Sequence, residues 1–243
     1  MLSTVLLLLA SFLACCQAAN YQIGSATDFI AFANNVNGGT TYSGTTVLLT
    51  TDIDFTGKSV APVGTSGDGF LGIFDGQGHT ISNLKMSTSS QYVGVFGLST
   101  GLTIKNVVVD DTCSFLGSSS TYADIGAIVG RITSNKGAAS ILNSVNMANV
   151  TYTGNSVNHI WLGGISGMFD TTVNPITVSN CVNYGALQTM ERQPQPCLLE
   201  GLLERLMETT HTTVQTMGHS YKMGLPGLVS MWVELLARVG KPQ

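Results

Sequence analysis

The sequence predicts a mainly β protein, a solenoid that begins with a short capping helix. Three observations support this prediction: a glycine-rich apolar segment recurs ahead of a β-type segment, the β-type segments are rich in Ile, Val and Thr between turn residues, and a helical pattern precedes the first repeat. Short strands in such repeats bury their apolar edges against neighbouring coils, which is how solenoids fold.

The first 19 residues have the layout of a secretory signal peptide. An apolar stretch from Val5 to Leu13 is followed by small residues that end at Ala18 and Ala19, as in a cleaved leader. No later segment approaches the roughly 20 apolar residues of a membrane span. We expect residues 1–19 to be removed, which leaves a secreted or cell-surface protein without a membrane span. The alternative, an uncleaved or lipid-modified anchor, stays open because the leader has no Lys or Arg.

Residues 25–39, SATDFIAFANNVNGG, predict the capping helix. Ser25 and Asp28 form a capping-box pair, and Gly38 and Gly39 end the helix. The apolar residues that share one helical face are Phe29, Phe32, Ala33 and Val36. An open first coil would expose its apolar edge and unpaired backbone, so we assign this helix to cover that end.

The predicted solenoid spans residues 20–187 and repeats two features. The glycines of its apolar segments, which we call hook glycines, are Gly72, Gly94, Gly126 and Gly163, and the asparagines of its β-type segments are Asn83, Asn106, Asn143 and Asn180. Each asparagine is expected to bend the coil by bonding its own backbone, and stacked bends would form an asparagine ladder. The glycines allow a positive φ or a close approach of neighbouring coils.

The stretch YSGTTVLLTTDIDFTGKSVAPVG, followed by FLGIFDGQGHTISNLKM and VGVFG, resembles the GLUG-type repeat proteins of bacterial and protist surfaces. This resemblance covers about residues 20–187 and is specific in FDGQGHTI. It implies a right-handed β-helix-like fold displayed outside the cell, sometimes as part of adhesins. It implies no catalytic residue.

The composition changes abruptly near Gln188. Residues 19–187 contain nine Asp, fifteen Asn and no Glu, whereas residues 188–243 contain five Glu and neither Asp nor Asn. When the codons of Thr212 to Ser220 are read one base out of frame, they allow NCANYGAL, which resembles NCVNYGAL at 180–187. We therefore predict that residues 188–243 are an out-of-frame translation of two further repeats, and that this tail is helical or disordered.

The alternative for residues 188–243 is a genuine C-terminal cap. A helical apolar stripe supports it, formed by Leu198, Leu199, Leu202, Leu203, Leu206 and Met207. An uninterrupted open frame in the verified transcript would favour this alternative.

Charge and cysteine content exclude several classes of function. Only 10% of residues are charged and the formal net charge is −4, so there is no basic surface for nucleic acid or an anionic membrane. After removal of the leader, Cys113, Cys181 and Cys197 remain, an odd number without metal-ligand spacing. We expect no disulfide framework, metal site or cofactor. Asn149, in the sequence Asn-Val-Thr, is a possible glycosylation site.

Asp52 and Asp54 are the carboxylates that best fit an enzyme. They share one face of a strand, and glycoside hydrolysis needs two carboxylates. Aspartates at turn edges are nevertheless ordinary, and neither His79 nor His159 has a partner at metal-ligand spacing, so no catalytic residue is assigned. The prediction is a non-enzymatic adhesion or interaction module for an extracellular protein or glycan, acting through its long side or loops such as 114–122. A polysaccharide hydrolase or lyase is the alternative.

Overall fold

The computed structural model describes residues 20–154, 158–171 and 173–189, together with the strand Val214–Thr216. These residues are mainly β, with one helix and five sheets. Every strand pairing is parallel, which is consistent with a β-helix-like fold. The predicted signal peptide, residues 1–19, lies outside the described residues.

Strand β1 (Asn20–Ile23) leads into helix α1 (Ala26–Asn37). The side chain of Ser25 accepts a hydrogen bond from the backbone N–H of Asp28 at 3.2 Å, which satisfies one free amide of the first turn. The chain leaves the helix through Gly39, whose φ of 102° is unfavourable for a residue with a side chain.

The apolar face of α1 packs against aromatic residues that follow it in the chain. Phe29 contacts Phe55, and Phe32 contacts Phe70, with ring centroids 5.4 Å apart in both pairs. The buried residues of this face are Ala26, Phe29, Phe32, Ala33 and Val36. The helix therefore lies on the apolar interior of the first strands.

From residue 73 to residue 170 the chain passes through the five sheets in the same order three times, and each passage is one coil; the strands before residue 73 lie only in the first two sheets. Sheet 1 contains β1, β2 (Thr46–Leu49), β4 (Ile73–Asp75), β9 (Thr103–Lys105), β14 (Ala139–Leu142) and β19 (Ile176–Ser179). Sheet 2 contains β3 (Ile53–Asp54), β5 (Thr80–Ser82), β10 (Val108–Val109), β15 (Val145–Asn146), β20 (Cys181–Asn183) and β22 (Val214–Thr216). Sheet 3 contains β6 (Lys85–Thr88), β11 (Ser114–Gly117), β16 (Asn149–Tyr152) and β21 (Leu187–Thr189). Sheet 4 contains β7 (Tyr92–Val93), β12 (Ala123–Gly126) and β17 (Ile160–Gly163), and sheet 5 contains β8 (Phe96–Ser99), β13 (Val129–Thr133) and β18 (Ser166–Asp170).

The core consists of apolar side chains that stack from coil to coil. In sheet 1, Phe74, Ile104, Ile141 and Val178 are paired in register across β4, β9, β14 and β19, and all four are buried. Full burial of such a side chain stabilises the fold by about 1.5–3 kcal/mol. Each coil therefore depends on its neighbours for its stability.

The predicted asparagine ladder lies at the corner between sheets 1 and 2. Asn143 Nδ2 donates to Asn106 Oδ1 at 3.3 Å, and Asn180 Nδ2 donates to Asn143 Oδ1 at 3.1 Å. All three residues have a positive φ, between 48° and 56°, which asparagine tolerates better than most residues. The side chains thus bond the neighbouring coil, whereas the sequence predicted bonds to their own backbone.

Two members of the predicted series are not equivalent to the others. Asn83 lies at the corner between sheets 2 and 3, where its Nδ2 donates to Asp54 Oδ1 at 2.9 Å. Gly72 directly precedes strand β4 of sheet 1, whereas the later hook glycines lie at the ends of the strands of sheet 4. The local similarity of TISN and TIKN is misleading, because Ile81 pairs with Val109 and not with Ile104.

A second asparagine pair is buried inside the coils and was missed in the sequence. Asn146 Nδ2 donates to Asn183 Oδ1 at 2.8 Å. Each side chain also bonds the backbone two residues further on, at Ala148 and Gly185. A buried amide is tolerated only when its donors and acceptors are paired, and these contacts pair them.

The structure describes only part of residues 188–243. Gln188 and Thr189 complete β21, and β22 pairs with β20 so that Cys181 lies opposite Val214. At β22 the predicted helix or disorder is wrong, because the segment is a strand; the rest of the tail, including the apolar stripe, lies outside the described residues. Within the described ranges, no helix is long and apolar enough to cross a membrane.

Candidate functional site

The hooks, the turns that join sheet 4 to sheet 5, bring two strands unusually close together. A Cβ atom on Gly126 would lie 2.2 Å from the carbonyl oxygen of Val129 and 2.6 Å from the Cα of Ser166. Gly94, Gly126 and Gly163 are not among the glycines with a positive φ. Of the two predicted reasons for these glycines, close approach of neighbouring coils is therefore the one that applies.

Sheet 4 aligns three different side chains in a row beside the hooks. Asp124 is paired in register with Tyr92 on one side and with Trp161 on the other. Tyr122 and His159 immediately precede the strands of this row, and Arg131 reaches it from β13 in sheet 5. We call the part-exposed members of this group, Tyr92, Tyr122, Arg131, His159 and Trp161, the aromatic face.

A buried ion pair anchors the aromatic face. Asp124 is fully buried, and its Oδ2 lies 2.6 Å from Arg131 Nε while its Oδ1 lies 3.7 Å from His159 Nε2. Burial raises the pKa of Asp124 to about 6, although the nearby Arg131 guanidinium acts in the opposite direction. At neutral pH the carboxylate is therefore ionised and balances the charge of Arg131.

The guanidinium of Arg131 is held between two tyrosine rings. Its central carbon lies 5.4 Å from the ring centroids of both Tyr92 and Tyr122, a distance at which a cation is attracted to an aromatic face. The two tyrosine hydroxyls are 2.8 Å apart and bond each other. Burial and the Tyr122 hydrogen bond raise the pKa of Tyr92 to about 12, so Tyr92 keeps its proton at neutral pH.

The rings continue across the coils as a row. Tyr122 stacks on His159 with centroids 5.1 Å apart, and His159 lies 5.9 Å from Trp161. Burial, followed by the charge of Arg131, lowers the pKa of His159, so this imidazole is neutral at pH 7. The face therefore presents aromatic rings around one balanced ion pair.

Asp52 and Asp54 behave as turn-forming carboxylates. Asp52 Oδ1 accepts from the backbone N–H of Thr80 at 2.9 Å and lies 3.2 Å from His79 Nδ1. Asp54 Oδ1 accepts from Asn83 and from the backbone of Thr56, both at 2.9 Å. These hydrogen bonds lower the pKa of both groups, whereas a general acid for glycoside hydrolysis needs a raised pKa.

The other residues identified in the sequence take structural positions or stay untested. Asn149 is exposed at the start of β16, and its Oδ1 accepts from the backbone of Ala186 at 3.0 Å. The predicted loop 114–122 is wrong over its first half, because Ser114–Gly117 is the strand β11. Cys113 and Cys181 are buried free thiols, while Cys197 lies outside the described residues.

An open depression of about 360 Å³ lies over the ladder corner, lined by Asp75, Gln77, Gly78, Asn106, Val108 and Asn143. Its polar groups already bond along the ladder, since Asn106 Nδ2 donates to Asp75 Oδ1 at 2.9 Å. In the part of the chain that the structure describes, no group of His, Cys, Asp or Glu is arranged to hold a metal ion. The aromatic face is therefore the better candidate for a ligand.

The aromatic face was not predicted, although the sequence carries a signal for it. Tyr92, Asp124 and Trp161 each stand two residues before a hook glycine, and Tyr122 and His159 each stand four residues before one. Aligning the repeats on these glycines would have placed the residues in one row. Only the structure shows that Arg131 crosses from another sheet to join them.

No family model, curated protein or solved structure was found to match this chain. The resemblance to GLUG-type repeat proteins therefore stays a prediction.

Proposed function

We propose that this protein is a secreted or cell-surface repeat protein that acts as a non-enzymatic adhesion or interaction module. In this proposal the five parallel sheets form a right-handed β-solenoid, helix α1 caps its first coil, and the aromatic face is the contact surface. The resemblance to the GLUG-type repeat proteins supports the location and the handedness.

One observation carries the proposal: a row of part-exposed rings from three coils is fixed around a buried ion pair. Arg131 is held by Asp124 at 2.6 Å and by two tyrosine rings. Tyrosine, tryptophan and arginine are the residues that contribute most to binding at contact surfaces. Side chains that are already fixed lose little conformational entropy when a ligand binds.

The enzymatic alternative finds less support. The Oδ1 oxygens of Asp52 and Asp54 accept the hydrogen bonds of turns, and the low pKa of each carboxyl suits neither proton donation nor a shared proton. A binding role requires neither proton donation nor a shared proton from Asp52 and Asp54.

The proposal is tested by measuring the adhesion of the labelled full chain to intact cells and to surfaces coated with extracellular matrix. We expect saturable adhesion that is lost in Tyr122→Ala and kept in Tyr184→Ala. Tyr184 is a matched control because it is an exposed aromatic residue, with 42% of its surface accessible, outside the aromatic face.

The same preparations are incubated with soluble polysaccharides, and reducing ends are counted. Release of products that is abolished by Asp54→Asn would identify an enzyme and contradict the proposal. Adhesion that is equal in the Tyr122→Ala and wild-type chains would show that the contact surface is elsewhere.

A further inference from the structure

Building on the proposed function, we propose that the aromatic face binds a neutral saccharide chain. The ligand class follows from the shape of the face, from its charge and from the small apolar area that it offers.

The face alternates ring surfaces with polar edges. Tyr122 and His159 stack on each other with Trp161 beside them, so these two rings offer mainly their apolar edges, while the paired hydroxyls of Tyr92 and Tyr122 supply hydrogen-bonding groups. A pyranose ring has C–H faces and hydroxyl edges. It can therefore contact this row of rings through its C–H groups and bond the adjacent hydroxyls, as amphipathic aromatic side chains allow.

The spacing of the rings suits a chain of sugars. Tyr92, Tyr122 and His159 come from three successive coils whose strands pair in sheet 4. Paired strands lie about 4.8 Å apart, which is close to the length of one sugar unit in an extended chain. A linear saccharide can therefore run across the strands and meet one ring in each coil.

Charge favours a neutral saccharide over an acidic one. Asp124 balances the guanidinium of Arg131 at 2.6 Å, so this pair leaves no net positive charge for an anion. The whole chain carries a formal net charge of −4, which repels acidic polysaccharides.

The small apolar area of the face favours a narrow ligand over a protein. Stable protein interfaces bury about 800 Å² on each partner and have an apolar core. The rings of this face are only part-exposed and lie around an ion pair. Among the described residues, the large apolar side chains with high exposure lie elsewhere, at Ile73, Met147, Val173 and Tyr184.

The test titrates soluble saccharides into the full chain at pH 7.5, with calorimetry and tryptophan fluorescence as readouts. The neutral ligands are a β-glucan, a mannan, a galactan and chitooligosaccharides, and the acidic ligands are polygalacturonate and hyaluronan. We expect binding to a neutral ligand that becomes about tenfold weaker or more in Trp161→Ala, as for a truncated anchor residue.

Trp161→Phe retains a ring and is expected to keep most of the affinity, and Tyr184→Ala is expected to bind like the wild-type chain. Urea unfolding of each variant verifies that it is folded. If Trp161→Ala does not fold, Tyr122→Phe provides the measurement, because it keeps the ring and removes one hydroxyl of the face; a weaker affinity for the neutral ligand supports the proposal, and an unchanged affinity contradicts it.

Several outcomes would overturn the inference. These are binding confined to the acidic ligands, neutral binding that Trp161→Ala leaves unchanged, and adhesion that depends on Tyr122 but is destroyed by protease treatment of the target surface while no saccharide binds. In the last case the proposed function stands and only the ligand class is wrong. A folded chain that adheres to no surface and binds no saccharide would contradict both.

Discussion

The ladder corner and the hooks both repeat from coil to coil, but they repeat different things. At the corner the same side chain recurs at Asn106, Asn143 and Asn180, and these amides bond one another. At the hooks the glycines recur, while the row beside them holds Tyr92, Asp124 and Trp161. The repeated asparagines bond one another and so stabilise the stacking of the coils. The side chains beside the hooks differ from coil to coil and are therefore available for ligand binding.

This difference predicts how substitutions will separate folding from binding. Changes to the hook glycines and to the ladder should lower the free energy of unfolding, since both hold successive coils together. Changes to the aromatic face should weaken ligand binding with a smaller effect on stability. Four measurements test this separation, from the largest expected effect to the smallest.

Gly126→Val is expected to lower the free energy of unfolding by about 3 kcal/mol or more, as for severe overpacking. The new Cβ would overlap the backbone, at 2.2 Å from the carbonyl oxygen of Val129, and backbone atoms of a tight hook cannot move aside without separating sheets 4 and 5. Urea unfolding followed by circular dichroism measures the loss. Gly137→Ala is the control, because a Cβ at Gly137 meets nothing within 4 Å; equal losses in the two variants would disprove the steric explanation.

Asn143→Ala is expected to lower the free energy of unfolding by about 2–3 kcal/mol. It removes two ladder hydrogen bonds, each worth about 1 kcal/mol, and places alanine at a φ of 48°, which costs roughly 1 kcal/mol more. Asn143→Gly removes the same bonds without the backbone strain and should lose less. Saccharide binding should be unchanged in the folded Asn143→Ala protein. A loss of affinity as large as that of Trp161→Ala would contradict the proposed separation between the ladder corner, which stabilises the fold, and the aromatic face, which binds the ligand.

The sequence predicted the parts of the fold that depend on local pattern. Asn106, Asn143 and Asn180 were aligned correctly because these coils have equal lengths: each ladder bond joins two asparagines that are 37 residues apart in the chain. Asn83 was misaligned because TISN resembles TIKN: Asn83 lies 23 residues before Asn106, whereas Tyr92 and Tyr122, which bond each other from the same two coils, are 30 residues apart. Strand register is a property of paired strands, and a motif alone does not determine it.

The aromatic face could not be predicted for a related reason. Its members come from coils of unequal length and from two sheets, and the Asp124–Arg131 pair forms only because the hook folds β13 back against β12. Neither residue is unusual in the sequence, where Asp124 is one of nine aspartates and Arg131 is one of ten Lys and Arg residues. The ion pair is a consequence of tertiary packing.

The out-of-frame origin of residues 188–243 stays a prediction. The pairing of β22 places Val214 opposite Cys181, and the shifted reading of Thr213 and Val214 supplies a cysteine at the same point of NCANYGAL. Sequencing the transcript around codon 188 tests this prediction. Restoring the frame would add an asparagine beside Asn180 and extend the ladder by one coil.

Asp124 is expected to make stability depend on pH in the opposite direction from an ordinary surface aspartate. Its pKa is about 6 in the folded chain, against a usual value of 3.8. Between these values the folded chain holds a proton that the unfolded chain has released, so the free energy of unfolding rises as the pH falls from 7 to 4. At about 1.4 kcal/mol per pKa unit the full shift corresponds to about 3 kcal/mol, which is reached only below pH 3.8, so by pH 4 the wild-type chain should gain about 2 kcal/mol relative to Asp124→Asn.

Other groups near Asp124 must be considered in that measurement. His159 has a lowered pKa, so its protonation lowers the free energy of unfolding as the pH falls. Comparison with Asp124→Asn and with His159→Gln separates the two effects. Tyr92, with a pKa of about 12, keeps its proton over this range, and elsewhere in the chain Asp52 and Asp54, with lowered pKa values, act mainly below it. Parallel stability curves for the wild-type and Asp124→Asn chains would show that Asp124 is not desolvated.

Tyr122→Phe is expected to have the smallest effect on folding, a loss of about 0.5–1 kcal/mol. The variant removes one hydrogen bond, the 2.8 Å contact between the hydroxyls of Tyr92 and Tyr122, and keeps the ring that stacks on His159 and faces Arg131. The pKa of Tyr92, about 12 in the wild-type chain, should fall when its partner is removed, because that hydrogen bond is one of the causes that raise it. An ultraviolet titration of the tyrosines measures this change. If Tyr122→Phe destabilises the chain as much as Asn143→Ala does, the aromatic face is itself a structural element, and the contrast with the ladder corner disappears.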